Sequence, residues 1–251
     1  MRIRASGYLG NRLRRNYDRL EREEYRPDAV FKKEYGWPAD WEGRIMLALA
    51  MLADATGREP AYLEDMMVRM PSQLNEKGYF GKVYPAGELD EQQLSGHSWL
   101  LRAMCEVYER RQDERALAHV QRIVEALLLP AAGYYRQYPV RPEHRAFEGG
   151  AIGTSTGVRV GHWYPSTDIG CAFIMLDGAT HAYRLLRMPE LGALIDEMID
   201  TLRTIDLTGL AFQTHATLSA ARGVLRHYET TGNEGLLGLA GNIYDLYRSE
   251  G

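Results

Sequence analysis

Two kinds of helical segment alternate along the chain. Three segments are apolar around most of their circumference: 42–56, 98–111 and 169–186. Each is followed by a segment with one apolar stripe at helical spacing, as in Leu117, Val120, Ile123, Val124 and Leu127. A helix that is apolar all round must be surrounded by other elements, whereas a striped helix covers one side of a core. The pattern therefore predicts pairs of one buried and one surface helix.

A fourth pair is predicted over 217–230 and 234–247, and a striped helix over 11–24 precedes the first pair. Short polar turns join the two members of a pair, while long loops over 76–96 and 129–168 join successive pairs. This organisation predicts an all-α protein, and within that class an α/α toroid, in which an outer antiparallel ring wraps an inner ring of parallel helices. A right-handed α-solenoid of helical hairpins is the alternative.

The toroid is predicted to be a single domain over residues 1–251, and to be incomplete. The pattern yields about nine helices, whereas a closed ring of six hairpins has twelve. An open ring exposes apolar flanks, which a second copy of the chain or a C-terminal continuation would have to cover.

Charge and hydropathy narrow the choice of partners. The net charge is −4, from 30 basic and 34 acidic side chains, and no basic stripe is interleaved with aromatic residues, so nucleic acid is not an expected partner. No apolar run reaches the ~18 residues of a membrane span, and none near the N-terminus resembles a signal peptide. A cytoplasmic protein without a membrane partner is expected. Cys105 and Cys171 lie in apolar helical segments and are expected to be core thiols.

Polar clusters precede all four apolar helices. If these helices are parallel, their N-termini and the clusters meet in one funnel, where free backbone N–H groups add further donors. Aromatic rings that stack on a sugar, together with carboxylates, amides and imidazoles that bond its hydroxyls, suit a carbohydrate ligand. The predicted substrate-binding residues are Asp40, Trp41, Tyr79, Glu91, Gln92, His97, His162 and His215.

A structural interpretation exists for several of these residues. Asp40 and Asp168 suit helix N-caps, and His97 and His215 could each bond a backbone carbonyl at a helix start. Histidine recurs at the same place in separate hairpins, which favours a ligand-binding role for these residues over a purely structural one.

Glycosidic chemistry usually needs a pair of carboxyl groups, one acting as acid and the other as nucleophile or base. Glu91 and Asp168 are the candidate catalytic residues, with Asp40 and Glu42 beside them. No HxxxH or HxH spacing supports a metal site, and no GxSxG or phosphate-binding loop occurs. The glycine-rich segment 149–161 is interpreted as a mobile loop.

Four pieces of the chain carry a resemblance to a known family. They are DWEGRIMLALAMLA (40–53), GYFG (78–81), LSGHSWLLRAMCEVY (94–108) and THATLSAARGVLRHYETTG (214–232). In this order they resemble segments of the β-L-arabinofuranosidase family of glycoside hydrolases, whose catalytic domain is an α/α barrel. The resemblance implies that His97 and His215, together with the loop over 90–93, contact a sugar.

The same family uses a cysteine nucleophile near a zinc ion and a glutamate acid/base, all located after the hairpin that here ends at Tyr247. This chain has no counterpart of those residues. No cofactor is therefore expected within it, and zinc would require a C-terminal continuation that supplies ligands.

Two classes of function follow from the sequence. The first is a carbohydrate-active protein of glycoside-hydrolase type that hydrolyses or binds arabinofuranoside-like sugars. The second is a non-catalytic helical scaffold that binds a sugar or a protein, and a sugar epimerase or an enzyme similar to unsaturated glucuronyl hydrolases is a further alternative.

Overall fold

The computed structural model describes residues 5–31, 36–145 and 153–249, so residues 149–152 of the predicted glycine-rich loop lie outside the described part. The described chain is all-α and contains ten α-helices. They are α1 (Gly7–Leu20), α2 (Pro27–Val30), α3 (Asp40–Thr56), α4 (Leu63–Arg69), α5 (Glu91–Arg111), α6 (Glu114–Ile123), α7 (Met175–Leu186), α8 (Pro189–Arg203), α9 (Thr214–Thr231) and α10 (Glu234–Ser249).

The short turns of the predicted hairpins share one backbone device. Each of the apolar helices α3, α5, α7 and α9 ends on a residue in the left-handed region, namely Gly57, Gln112, Arg187 and Gly232. The N–H of each of these residues bonds back to a carbonyl of the last helical turn. A left-handed residue reverses the chain directly after a helix. Helices α6, α8 and α10 therefore begin after links of only two residues.

The apolar helices lie side by side in the order α3, α5, α7, α9, and form an inner row. Neighbours approach each other at a glycine: Gly43 of α3 faces α5, Gly178 of α7 faces α5, and Gly223 of α9 faces α7. A Cβ atom at any of these glycines would lie within 3.0 Å of a backbone atom of the facing helix. Only glycine permits backbones this close.

All four inner helices run in the same direction, because contacts between neighbours advance together along both chains. Near the start of α3, Gly43 faces Leu100, and near its end Asp54 pairs with Arg110. The other two pairs of neighbours show the same order through the contacts Ser98–Gly178, Glu109–Arg184, Asp177–Arg222 and Arg187–Thr230. The N-termini of the inner helices consequently lie at one end of the molecule.

The remaining long helices cover the inner row: α1 packs on α3, α6 on α5, α8 on α7 and α10 on α9. Within the described residues, α3 and α9 end the row and do not pack along each other, so a closed toroid stays a prediction. Strands β1 (Leu89–Asp90) and β2 (Trp163–Tyr164) pair in parallel and join the two long loops beside the start of α5. None of the described helices has the length and hydropathy needed to cross a membrane.

The close approach of neighbouring inner helices at glycine should make the stability of the protein sensitive to substitutions there. The substitution Gly178→Ala would bring a methyl group to 2.7 Å from the Ser98 carbonyl oxygen, and overpacking of this kind costs about 1–3 kcal/mol. Gly238→Ala is the matched control, because Gly238 lies in α10 with no atom near its missing Cβ, and it should stabilise the protein by up to ~1 kcal/mol. Urea unfolding of both variants measures the difference. Equal stabilities would contradict the close approach of α5 and α7.

Candidate functional site

A cavity of about 250 Å³ opens where the N-termini of the inner helices meet. Every inner helix, or the segment that leads into it, contributes to its wall, and two loops complete it. The lining residues are Trp37, Asp40, Arg44, Ser95, Gly153, Asp168, Cys171, Ile174, Gln213 and His215. Three predicted residues, Asp40, Asp168 and His215, are thus brought to one cavity from distant parts of the chain.

On one side of the cavity, Asp40 is the first residue of α3 and accepts a 2.8 Å hydrogen bond from Nε of Arg44, one turn later. The Arg44 guanidinium lies 4.0 Å from the ring centre of Trp99 in α5, and the His215 ring stacks on the same indole with a 5.6 Å centroid separation. Burial, reinforced by the charge of Arg44, lowers the pKa of His215. Near neutral pH His215 is therefore an uncharged imidazole that can both donate and accept.

Gln213, another residue of the wall, connects the cavity to the start of α9. Its Nε2 donates to Asp168 Oδ2 at 2.9 Å, and its Oε1 accepts from the Ala216 N–H and so caps the helix. Cys171 lies beside it, with Sγ 3.8 Å from Gln213 Oε1. Burial, followed by the negative charge of Glu91, raises the pKa of the Cys171 thiol well above its usual range, so the thiol is protonated and unsuited to act as a nucleophile.

The loop before α3 and the loop before α7 are held together over the cavity by one carbonyl. Gly153 O accepts from Trp37 Nε1 at 2.8 Å and from Gln92 Nε2 at 3.2 Å. Gln92, a predicted sugar contact, thus uses a side-chain donor to fix the wall of the cavity and is not among its lining residues.

Glu91 is fully buried and is surrounded by donors. Its carboxylate accepts from Arg145 and from the Tyr138 hydroxyl, and from the N–H groups of Ser166 at 2.8 Å and Ala172 at 3.1 Å. Arg145 in turn donates to the carbonyl of Asp168 at 3.2 Å. The candidate catalytic residue Glu91 therefore does not line the cavity; it holds the segment that carries Asp168 and Cys171.

His97 is also behind the wall of the cavity. Its Nε2 accepts from the Phe80 N–H at 3.1 Å, its Nδ1 is 2.7 Å from Gln93 O, and burial lowers its pKa to about 4. Both ring nitrogens are thus used within the protein, which matches the structural interpretation of this residue.

Three further predicted contacts lie elsewhere. Trp41 stacks on Tyr25 with ring centres 6.0 Å apart, on the side of α3 that faces α1. Tyr79 is buried edge-on against His97, and His162 packs on Tyr134 with its Nδ1 2.7 Å from Gly87 O. The structure does not bring these three side chains to the cavity.

Sequence reasoning missed Trp37, Arg44, Ser95 and the role of Trp99. Of these residues, Arg44 was the easiest to predict from the sequence, because its spacing of four residues from Asp40 is typical of a helical ion pair. No comparable signal exists for Trp37 and Ser95. Trp37 reaches the cavity through the conformation of a loop, and Ser95 reaches it through the rotation of α5 about its axis.

One group of described residues could offer three metal ligands: Glu106, Glu109 and His181, whose ligand atoms all lie within 4.8 Å of one another. Arg110 already pairs with Glu106 at 2.9 Å, and Arg184 pairs with Glu109 at 2.8 Å and lies 2.9 Å from His181 Nε2. Because two guanidiniums already neutralise these carboxylates, the group does not favour a cation.

Comparison with known proteins adds no relative. No protein-family model matches the chain, and neither a curated protein nor a solved structure matches it. The resemblance to β-L-arabinofuranosidases accordingly stays a prediction from the sequence.

The Glu91→Gln substitution tests the buried ion pair between Glu91 and Arg145. It leaves Arg145 without its charged partner in the interior, and breaking a buried ion pair costs about 3–5 kcal/mol. Glu23→Gln is the control, because Glu23 pairs with Arg26 at the surface and an exposed pair contributes ~0–1 kcal/mol. Urea unfolding should show a much larger loss for Glu91→Gln than for Glu23→Gln; similar losses would contradict the role of Glu91.

Glu42 gives a prediction for pH. Burial, and then the charge of Asp40, raise the pKa of this carboxyl from 4.5 to about 7 in the folded state. As the pH rises, the Glu42 carboxyl loses its proton at a lower pH in the unfolded chain than in the folded chain. The free energy of unfolding therefore falls between about pH 4.5 and 7, by about 3 kcal/mol in total.

The substitution Glu42→Gln removes this titration. The variant should match the wild type near pH 4.5 and exceed it in stability at pH 8, as measured by urea unfolding at both values. Glu229→Gln, at an exposed position of α9, is the control and should show no such divergence. A stability difference that is constant with pH would rule out a raised pKa at Glu42.

Proposed function

We propose that the chain binds a single sugar ring in the cavity at the N-termini of the inner helices and acts there on glycosides of arabinofuranoside type. The observation that carries this proposal is the composition of the wall. Two carboxylates, an amide, a neutral imidazole, a guanidinium and an indole surround one small space. Such a set of donors and acceptors beside an aromatic ring suits a ligand with many hydroxyls.

The size of the cavity supports a small ligand. Pockets for drug-sized molecules usually measure roughly 300–1,000 Å³, and this one measures about 250 Å³. A cavity of this volume suits a single sugar ring better than an oligosaccharide, and any further sugar units would extend into solvent.

Asp40 and Asp168 are the two carboxylates of the wall, and they replace Glu91 in the proposed chemistry. In hydrolysis, the oxygen of a water molecule bonds to the anomeric carbon and gives up a proton to a base, while the bond to the leaving oxygen breaks and that oxygen receives a proton from an acid. Asp40, which is bonded to a guanidinium, suits the charged role of base or nucleophile. We assign the role of acid to Asp168, the other carboxylate of the wall, which accepts a hydrogen bond from the amide of Gln213.

One observation favours the alternative of a non-catalytic binding protein. Both carboxylates already have partners on neighbouring side chains, so neither is a free proton carrier without rearrangement. Binding and turnover are therefore measured separately.

Isothermal titration against a panel of monosaccharides measures binding, and p-nitrophenyl furanosides and pyranosides measure turnover. At least one sugar should bind, and Asp168→Asn should weaken it about tenfold, because a hydrogen bond to a charged group contributes about 1.5–3 kcal/mol. Asp200→Asn, at an exposed site of α8, should leave binding unchanged.

The outcomes separate the two functions. Turnover that Asp40→Asn or Asp168→Asn abolishes while the helical circular dichroism is kept would support the hydrolase. Binding without turnover would support the scaffold. If no sugar binds, or if both variants bind like the wild type, the cavity is not a sugar site.

A further inference from the structure

An excess of positive charge surrounds Trp99 at the edge of the cavity. The guanidiniums of Arg44, Arg102 and Arg222 lie 4.0, 6.0 and 5.4 Å from the centre of its indole ring. His215, which lines the cavity, stacks on the same ring. We refer to these five residues as the Trp99 cluster.

The carboxylates in contact with the cluster do not balance its charge. Asp40 pairs with Arg44, and the buried Asp177 faces three guanidiniums: Arg102 at 3.3 Å, Arg226 at 2.5 Å, and Arg222. Four cationic side chains thus face two anionic ones. Asp168, another carboxylate of the wall, is bonded to Gln213, and Glu106 pairs with Arg110, which also pairs with Asp54. Among these four arginines and their two aspartate partners, positive charges exceed negative ones by two.

Two buried donors of the cluster lack an acceptor within the described residues. Arg102 Nε lies 3.3 Å from Asp177 but makes no aligned hydrogen bond, and Trp99 Nε1 has no acceptor among the residues that the structure describes. Both side chains are more than nine-tenths buried. Burial also lowers the pKa of Arg102, as do the adjacent Arg222 and Arg226. An anion close to these side chains would offset the repulsion among the guanidiniums.

The cluster is open to solvent on one side. The Arg222 side chain is 44% exposed and that of Arg44 is 40% exposed, so both can contact a ligand while they keep their carboxylate partners. Since Arg44 and His215 also line the cavity, one ligand can reach the cluster and the two carboxylates of the wall at once.

We propose that the sugar bound in the cavity is anionic, with a carboxylate or phosphate group held by Arg44, Arg222 and His215. This inference rests on the proposed sugar site, where an anionic sugar would take the place of a neutral arabinofuranoside. The ring faces Asp40, Asp168 and Gln213 through its hydroxyls, and the charged group lies toward the Trp99 cluster. The shared chemistry is an anionic oxygen group, which a uronic acid or a sugar phosphate supplies.

Isothermal titration with matched pairs of sugars tests the inference: D-galacturonate with D-galactose, D-glucuronate with D-glucose, and arabinose 5-phosphate with arabinose. In at least one pair the anionic member should bind about tenfold more tightly, which corresponds to about 1.4 kcal/mol. The preference should decrease as salt is added, because the guanidiniums are partly exposed. The pair that shows it identifies a carboxylate or a phosphate as the recognised group.

The Arg222→Gln variant should reduce this preference to nearly one. Asp177 keeps Arg102 and Arg226, so the fold should persist, which circular dichroism and thermal unfolding check. Arg203→Gln is the matched control, because Arg203 is a similarly exposed arginine paired with an aspartate on α8, and its preference should equal that of the wild type.

Other outcomes would overturn the inference. If neutral and anionic sugars bind equally, the cavity is a sugar site without charge recognition, and the proposed function survives. If acetate or inorganic phosphate alone binds as tightly as any sugar acid, the ring contributes nothing and the cluster is only an anion site. If no member of any pair binds, the proposed function fails as well.

Discussion

The close contact of four parallel helices determines the rest of this structure. Gly43, Gly178 and Gly223 let neighbouring backbones touch, and the row that results directs all four N-termini to one end. A helix N-terminus has unpaired N–H groups and a partial positive charge, so four of them together create a surface that attracts oxygen atoms. Polar side chains at the starts of these helices are therefore brought together, although most of the helical length is buried.

The polar residues at this end divide into two groups with different partners. One group builds the wall: Glu91 holds the segment before α7, His97 holds the chain at Phe80, and Gln92 holds the loop at Gly153. The other group faces the cavity and includes Asp40, Asp168, Gln213 and His215. The first group uses its hydrogen-bonding capacity on the backbone of irregular loops, where the interior offers no other partner. This division is what makes a polar cavity possible beside a well-packed core.

The periodicity of the sequence was sufficient to predict the all-α class and the pairing of α5, α7 and α9 with the surface helices that follow them, but not the cover of α3 by α1 or the sorting of polar residues. Residues two apart on a helix point about 200° away from each other. Ser95 therefore lines the cavity while His97 faces the loop at Phe80, and Asp40 lines it while Glu42 is buried. The rotation of each helix is set by packing, which no short pattern records. Glycines within α3, α7 and α9 lie where these helices meet their neighbours, but only the structure distinguishes them from the other glycines of the chain.

Negative and positive side chains are distributed unevenly around the cavity. Asp40 and Asp168 lie in its wall, close to the helix N-termini that favour negative charge, while the guanidiniums surround Trp99 at the edge. Asp177, buried below this edge, keeps three arginines close together, which their mutual repulsion would otherwise prevent. For the proposed ligand, hydroxyls that bond Asp168 and an anionic group that bonds the guanidiniums would favour one orientation in the cavity. A neutral ring of the same size has no such preference, so the same wall would bind it less specifically.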